Sequence, residues 1–510
     1  MGYGIDLKGR IGYDKVKEYA LRLTELLKSV VYEVLAGDAS VEIRGISMDS
    51  REVKEGFAFV CIRGMVCDGH EFIGEALKAG AVALVIERRE DATLEKERQE
   101  SATVVFVKDS RSALAHMAAA WYGYPDRKLI TIGITGTKGK TTTSYMIKSI
   151  LENAGRKVGL IGTNEVIIGR RHLPARNTTP DALTLHSLLD EMVRAGLDTL
   201  VMEVSSQAIK LRRTEGILFD YGIFTNLSPD HIGTAEHRDF REYLECKQEL
   251  FRQCKVGLVN GDDPYQKEIT DHCTCSVETY GFGEECSLRA GHLRYERQDG
   301  KLGISFQIMG AMDFEVYLPL PGMFSAYNSL AAIGICRHFR VRESDILRSL
   351  RTIKIKGRIE AVDGTKGYTV LIDYAHNPMA LASLLETLRQ YHPGRLICLF
   401  GCGGDRPIMR RHLMGQISGR LADLTIVTDD NPRSEDPAVI RGQIWEGVRE
   451  TGGEGVIIPD RRDAIRYCLK LAKEGDIIVL AGKGHETDQE IKGMSVDMDE
   501  RKIVREIIDT

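Results

Sequence analysis

Residues 129–143 read Leu-Ile-Thr-Ile-Gly-Ile-Thr-Gly-Thr-Lys-Gly-Lys-Thr-Thr-Thr. An apolar run, a glycine-rich turn and a row of threonines restrict this stretch to a strand, a tight turn and a helix start. Such a turn can wrap backbone N–H groups around a phosphate, with Lys140 reaching the outer phosphates and Thr141 offering its hydroxyl to Mg²⁺. In the general pattern Gly-x-x-x-x-Gly-Lys-Thr the first glycine would fall at Ile134, which is instead flanked by Gly133 and Gly136. The unit belongs in an α/β domain and points to a bound nucleoside triphosphate.

A chain of 510 residues is too long for one core, so two to four domains are expected. A net charge of -5 gives no support to a general nucleic-acid role. No apolar run approaches the roughly 18 residues that span a bilayer, and Met1–Asp6 has no apolar signal core. The 11 cysteines are scattered, and Cys273 and Cys275 are spaced unlike a zinc pair. Free thiols in a reducing cytoplasm are the expected state.

Asp14 to Val30 places Val16, Ala20, Leu23, Leu27 and Val30 on one helical face. Strands are expected at Val41–Ile46, Phe57–Ile62, Ala81–Ile86 and Thr103–Val107, and a helix over Ser110–Trp121. Tyr122-Gly123-Tyr124-Pro125-Asp126 breaks the pattern and sets a boundary near residue 127. Strands and helices then alternate: Leu129–Ile134, a helix from Thr141 to Ala154, a helix over Leu183–Ala195, and strands at Thr199–Val204, Phe219–Thr225 and Val256–Val259. Residues 272–320 read as β-rich, and Arg351 to Gly357 as a linker. The last 150 or so residues repeat the alternation, with strands at Thr369–Ile372, Leu396–Phe400, Leu424–Val427 and Ile477–Leu480.

Polar and glycine-rich clusters follow these strands at Gly136–Thr143, Glu203–Ser206, Asn226–His231, Asp373–Asn377, Gly401–Arg406, Asp430–Arg433 and Gly482–Glu486. Open α/β sheets bind ligands beyond the carboxyl ends of their strands. Two such domains suggest a reaction in a cleft between them. Glu203, at a strand end, is a candidate Mg²⁺ partner. Taken alone, His231 reads as a loop hydrogen bonder and Lys247 as part of a solvated helix face.

In order along the chain, Thr135–Thr141, Glu203-Val204-Ser205-Ser206, Thr225-Asn226-Leu227 with Asp230-His231, Tyr243 with Lys247, and Asp373-Tyr374-Ala375-His376-Asn377-Pro378 resemble the Mur ligase superfamily. These are ATP-dependent amide ligases of peptidoglycan synthesis, and the likeness runs from Asp49-Ser50-Arg51 to Glu486. It implies three α/β domains: a UDP-sugar-binding domain at 1–127, a central P-loop ATPase domain at 128–355, and a Rossmann-like domain at 356–510 that binds the amino acid. ATP would phosphorylate a substrate carboxylate, and an amine would attack the acyl phosphate. Cations must then neutralise the crowded negative charge. The resemblance assigns Lys140, Glu203, His231 and Lys247 to catalysis. It gives Thr141 and Glu203 to one Mg²⁺, His231 to a second, and a carbamate to Lys247, whose oxygens would also serve the metal. Gly136, Thr137, Lys138, Gly139, Lys140, Thr141, Thr142, Asn328, Arg358 and Asp373 would hold the nucleotide.

Asp430-Asn431-Pro432-Arg433 resembles the motif of members that use meso-2,6-diaminopimelate, with Arg406 and the stretch from Gly482 to Glu486 as companions. A guanidinium at Arg433 can grip the distal carboxylate with paired hydrogen bonds. Bound lysine would leave Arg433 without its anion, and Glu486 can accept from the distal ammonium. Asn177, Thr178, Thr179, Ser205 and Arg213 resemble residues that hold the muramoyl-dipeptide. Met48 and Ser50, with Met65-Val66-Cys67, fall where members grip the uridine end. The expected partners are thus UDP-N-acetylmuramoyl-dipeptide and meso-diaminopimelate, with no nucleic acid or membrane, and the chain as a monomer. Leu211, Asn377 and Asp488 depart from common forms, and Lys138 adds charge where Asn is frequent. The alternatives are the L-lysine-adding ligase of the same family, a folylpolyglutamate synthase-like ligase, and a nucleotide-binding regulator without ligase activity.

Overall fold

The computed structural model describes residues 20–64, 67–92, 102–230, 232–233, 236–298, 301–365 and 367–509. The chain forms two compact units. One takes the described residues of Met1–Thr137, Arg156–Gly257 and Tyr265–Val277; the other takes Lys138–Gly155, Leu258–Pro264 and the described residues of Glu278–Thr510.

In the first unit a five-stranded sheet runs in the order Tyr32–Ala36, Thr103–Val107, Ala81–Ile86, Phe57–Val60, Gly45–Ser47. Only its first strand is antiparallel to its neighbour. Its apolar strands are buried on both faces. Ala58, Val60, Ala83 and Val85 pack with Ala113, Met117 and Trp121 of the helix Ser110–Trp121. Phe59, Cys61, Leu84 and Ile86 face the other way, toward Ile73 and Ala76. Asp109 caps that helix by accepting from Arg111 and Ser112 N–H.

The helix expected over Asp14–Val30 does not form as such. Residues 14–19 lie outside the described part, Leu21–Arg22 pairs as a short strand with Glu42–Ile43, and the helix is only Leu23–Leu26. The expected apolar face is used in part: Leu23 and Leu27 are buried, while Ala20 and Val30 are half-buried.

The same unit holds four parallel strands in the order Val158–Ile161, Thr199–Glu203, Ile130–Thr135, Phe219–Phe224. Their register puts Glu203 opposite Ile134 and Phe224 opposite Thr135. The carboxyl ends therefore lie in one row.

In the second unit the helix Lys140–Asn153 packs on Met323–His338 and Glu343–Thr352. The strands Leu288–Gln298, Lys301–Gly310 and Phe314–Leu318 form an antiparallel meander within the segment expected to be β-rich. The helix Glu343–Thr352 runs two residues into the expected linker. A six-stranded sheet follows, in the order Glu360–Ala361, Thr369–Asp373, Ile477–Ala481, Leu396–Phe400, Leu424–Val427, Gly455–Ile457. Alternate residues face opposite cores. Leu371, Cys398, Phe400 and Val479 meet the helices Pro378–Arg389, Met409–Leu421 and Pro437–Glu450. Ile372, Leu399, Ile426 and Leu480 meet Arg461–Leu471 and Glu500–Ile508. This sheet is doubly wound, and the loops after Asp373, Phe400, Val427 and Ala481 leave it at one end. Among the described residues no helix is long and apolar enough to cross a membrane, and all eleven cysteines are free thiols.

Candidate active site

The strand Ile130–Thr135 delivers the phosphate turn. Gly136 has φ +143°, and a Cβ there would come within 1.9 Å of Thr225 Oγ1 and 3.1 Å of the Asn226 backbone. Only glycine fits between these strand ends. Thr137 N–H donates to the Asn226 carbonyl at 2.8 Å, and its buried hydroxyl lies 3.0 Å from the Tyr243 hydroxyl. Lys247 comes from the helix Phe240–Arg252 and is almost completely buried. Its Nζ donates to the Gly136 carbonyl at 2.9 Å and sits 4.3 Å above the Tyr243 ring. The solvated helix face read for Lys247 in isolation is therefore corrected: the helix turns this lysine inward, onto the turn. Burial pushes the Tyr243 hydroxyl well above its ordinary pKa, which keeps it protonated.

Glu203 is fully buried at its strand end. Thr163 holds the carboxylate, donating its N–H to Oε1 at 3.0 Å and its hydroxyl to Oε2 at 2.9 Å. The Thr163 hydroxyl also lies 3.0 Å from that of Thr178. Thr179 donates to the Glu203 carbonyl and accepts from Ser205 N–H, while Arg213 donates to the Thr179 carbonyl at 2.7 Å. Ser205 also caps the helix Ser206–Lys210. Glu203, Thr178, Thr179, Ser205 and Arg213 thus form one hydrogen-bonded group. Asn177 is exposed beside it. Sequence reasoning missed Thr163, although Gly162-Thr163-Asn164-Glu165 is a polar cluster directly after the short strand Val158–Ile161, the signal that marks the other sites. Met48 is 37% exposed, and the Ser50 hydroxyl donates to Glu75 at 3.1 Å. His231, Met65 and Val66 lie outside the described residues.

In the second unit Gly139, at φ +88°, starts the helix that carries Lys140, Thr141 and Thr142. A Cβ there would meet Asn328 Oδ1 at 2.3 Å, so Asn328 backs the helix start directly. The cap residue has no side chain to accept its first N–H groups, the arrangement suited to an anion. Asp373 accepts from Ile359 N–H and Ala375 N–H, both at 2.8 Å. Burial raises its carboxyl pKa, against the pull of Arg358, those two N–H groups and Lys138. The Arg358 guanidinium lies 5.0 Å from the Tyr374 ring centre, and its buried Nε has no hydrogen-bond partner among the described residues. His485, ringed by Arg358, Lys356, Arg501 and Lys483, is pushed by burial first and then by these cations to about 4, so it is neutral at pH 7.

The loop Asp430–Arg433 meets the loop Gly482–Glu486. Asn431 Nδ2 donates to Glu486 Oε2 at 3.0 Å, and Pro432 and Asp430 are buried. Arg433, at φ +52°, donates from Nη1 to the Gly404 carbonyl at 2.7 Å and from Nε to Glu490 at 3.2 Å. Its backbone is pinned between Glu490 and Lys492. This corrects the charge argument against lysine. Glu490 already supplies Arg433 with an anion, so a bound lysine would not leave the guanidinium unpaired. Arg406 is exposed, and Asp488 sits in a surface hairpin accepting from Ser495.

Residues 42–122 match the Mur ligase family catalytic domain, 134–336 the Mur ligase middle domain, and 357–484 the Mur ligase glutamate ligase domain. A UDP-N-acetylmuramoyl-L-alanyl-D-glutamate–2,6-diaminopimelate ligase from Caldanaerobacter subterraneus subsp. tengcongensis is 41% identical over 489 residues, covering 96% of this chain and 99% of its own. The enzyme of that name from Clostridium perfringens is 39% identical over 495 residues, with the same coverage. A solved ligase of that name superposes with a TM-score of 0.70 at 28% identity, over 96% of this chain and 99% of its own. A MurF ligase from Thermotoga maritima, solved with ADP, shares the fold at a TM-score of 0.58 and 21% identity, over 91% and 96%.

Proposed function

Since the chain belongs to the Mur ligase family, we propose that it joins meso-2,6-diaminopimelate to UDP-N-acetylmuramoyl-L-alanyl-D-glutamate with cleavage of ATP to ADP and phosphate. A carboxylate is a poor acylating agent at neutral pH; its phosphorylation supplies a leaving group, and an amine completes the amide. The observation that carries the substrate choice is end-to-end similarity to diaminopimelate ligases, together with the junction of Asn431, Arg433 and Glu486 at the strand ends of the carboxyl-terminal sheet. The proposed domains are 1–127 for the UDP-sugar, 128–355 for ATP and 356–510 for the amino acid.

In this reading the turn Gly136–Thr142 cradles the triphosphate, with Lys140 on its outer oxygens. Asn328, Arg358 and Asp373 serve the nucleotide. Thr141, Glu203 and His231 are the proposed Mg²⁺ residues. The buried Glu203 carboxylate and the Thr141 hydroxyl are hard oxygen donors of the kind Mg²⁺ prefers. Two bound Mg²⁺ ions would offset the negative charge that accumulates between phosphate and carboxylate. The carbamate proposed on Lys247 would keep one N–H for the Gly136 carbonyl and would add two oxygens that share one negative charge. Met48, Ser50, Asn177, Thr178, Thr179, Ser205 and Arg213 are the proposed acceptor residues; Arg406, Asp430–Arg433, Gly482 and Glu486 are those for the amino acid.

Phosphate release by the purified protein, with ATP, Mg²⁺, the UDP-muramoyl-dipeptide and a panel of amino acids, tests this. Turnover with diaminopimelate is expected; turnover with L-lysine instead overturns the assignment. Arg433→Ala should raise the KM for diaminopimelate by about 10- to 100-fold. Equal loss with every accepted amine would contradict the role of Arg433.

A further inference from the structure

Lys483 is the middle residue of Gly482-Lys483-Gly484, is fully buried, and has no place in the chemistry above. Its ammonium donates to Asn431 Oδ1 at 2.8 Å, to Glu486 Oε2 at 2.8 Å, and to the Asp488 carbonyl. Asn431 Oδ1 also accepts from Glu490 N–H at 3.0 Å, and Asn431 Nδ2 donates to Glu486 Oε2. With both ends of the Asn431 amide committed, its orientation is fixed by the network. Glu490 in turn accepts from Arg433. Of three groups read as contacts of the incoming amino acid, Asn431 and Glu486 are therefore bonded directly to one buried cation, and Arg433 is linked to it only through Glu490 and then Asn431.

We propose that Lys483 is a positioning residue for the amino-acid substrate: it fixes the Asn431 amide and the Glu486 carboxylate in one orientation before the diamino acid arrives. Burying an ammonium is costly unless all three donors are used, and here all three are. The arrangement also sets the charge the substrate meets. Glu486 Oε2 is occupied by Lys483 and Asn431, so the distal ammonium of the substrate meets a carboxylate whose charge is already shared. Glu486 thus orients that ammonium without needing to neutralise it fully.

This rests on the diaminopimelate reading, and phosphate release by the unmodified full chain tests that reading first. Lys483→Met keeps the stem and removes the donors. The expected result is a KM for diaminopimelate raised by about 10- to 100-fold, with the KM values for ATP and the UDP-muramoyl-dipeptide within about threefold of the parent. If Lys483→Met does not fold, judged by loss of its thermal transition, Lys483→Gln carries the same comparison. A KM for diaminopimelate within threefold of the parent overturns the proposal. So does a parallel rise in all three KM values, or failure of both variants to fold, since either shows a merely structural lysine. An unmodified chain that turns over a different amine overturns the diaminopimelate reading and leaves the Lys483 comparison to be read with that amine.

Discussion

Glu203 shows what a residue gains from its neighbours. In the sequence it is one acidic side chain after an apolar run; in the structure it is a fully buried carboxylate gripped by both donors of Thr163. Glu203→Gln keeps the shape and an acceptor but removes the negative charge. Substrate-dependent phosphate release should fall by about 100-fold or more, with a small change in thermal midpoint. Activity within a few-fold of the parent would remove Glu203 from the metal site. His186 is buried in a different way. Among the described residues neither ring nitrogen has a hydrogen-bond partner, and burial, then His116, depresses it from 6.5 to about 4. The folded state holds it neutral, while the unfolded state takes up a proton below pH 6.5. Stability therefore rises with pH between about 4 and 6.5, and this contribution, roughly 3 kcal/mol in full, is lost on acidification through that window. His186→Phe should flatten the fall of thermal midpoint between pH 6.5 and 4; an unchanged slope would show that other groups govern it.

At the scale of elements, the strands with continuous apolar runs were legible, and the pieces organised by partners were not. Ala81–Ile86, Thr103–Val107, Leu396–Phe400 and Leu424–Val427 fall where the sequence places them, because their burial on both faces is written as uninterrupted hydrophobicity. The pair Glu165–Ile168 and Arg171–Pro174 escaped notice, since a short hairpin with one polar strand takes its stability from pairing. Of the helix expected over Asp14–Val30, the described part holds only the turn Leu23–Leu26, which is enough to bury Leu23 and Leu27 of the expected face. Helix caps can be tested one by one. Asn377 accepts from Ala380 N–H at 2.8 Å at the start of Pro378–Arg389, a cap that a threonine hydroxyl could also supply. Asn377→Thr should be nearly neutral, whereas Asn377→Ala should cost about 1 kcal/mol, read from denaturant unfolding. Equal losses from both would show that the side chain does more than cap.

For the whole molecule, the order of motifs along the chain carried more information than any motif alone. The phosphate turn by itself implies only a nucleoside triphosphate. Followed in order by Glu203, Asp373 and Asp430–Arg433, it marks out a ligase, and the matches at 42–122, 134–336 and 357–484 agree. What the order could not show was which charges are already answered inside the fold. Arg433 has Glu490, and Lys483 has Glu486, so an unpaired charge at Arg433 gives no ground for specificity. If the carboxyl-terminal sheet is the amino-acid site and the turn the nucleotide site, each ligand should protect its own segment. Hydrogen exchange read by mass spectrometry on the full chain can separate them. A non-hydrolysable ATP analogue with Mg²⁺ should slow exchange in 136–143 and leave 430–433 and 482–490 less affected. Diaminopimelate at about 100 times its dissociation constant stabilises what it binds by up to about 2.7 kcal/mol, and should slow exchange in 430–433 and 482–490. Protection by diaminopimelate confined to 42–122 would refute the assignment of the amino acid to the carboxyl-terminal sheet, and no change in 136–143 with the analogue would refute the reading of the turn.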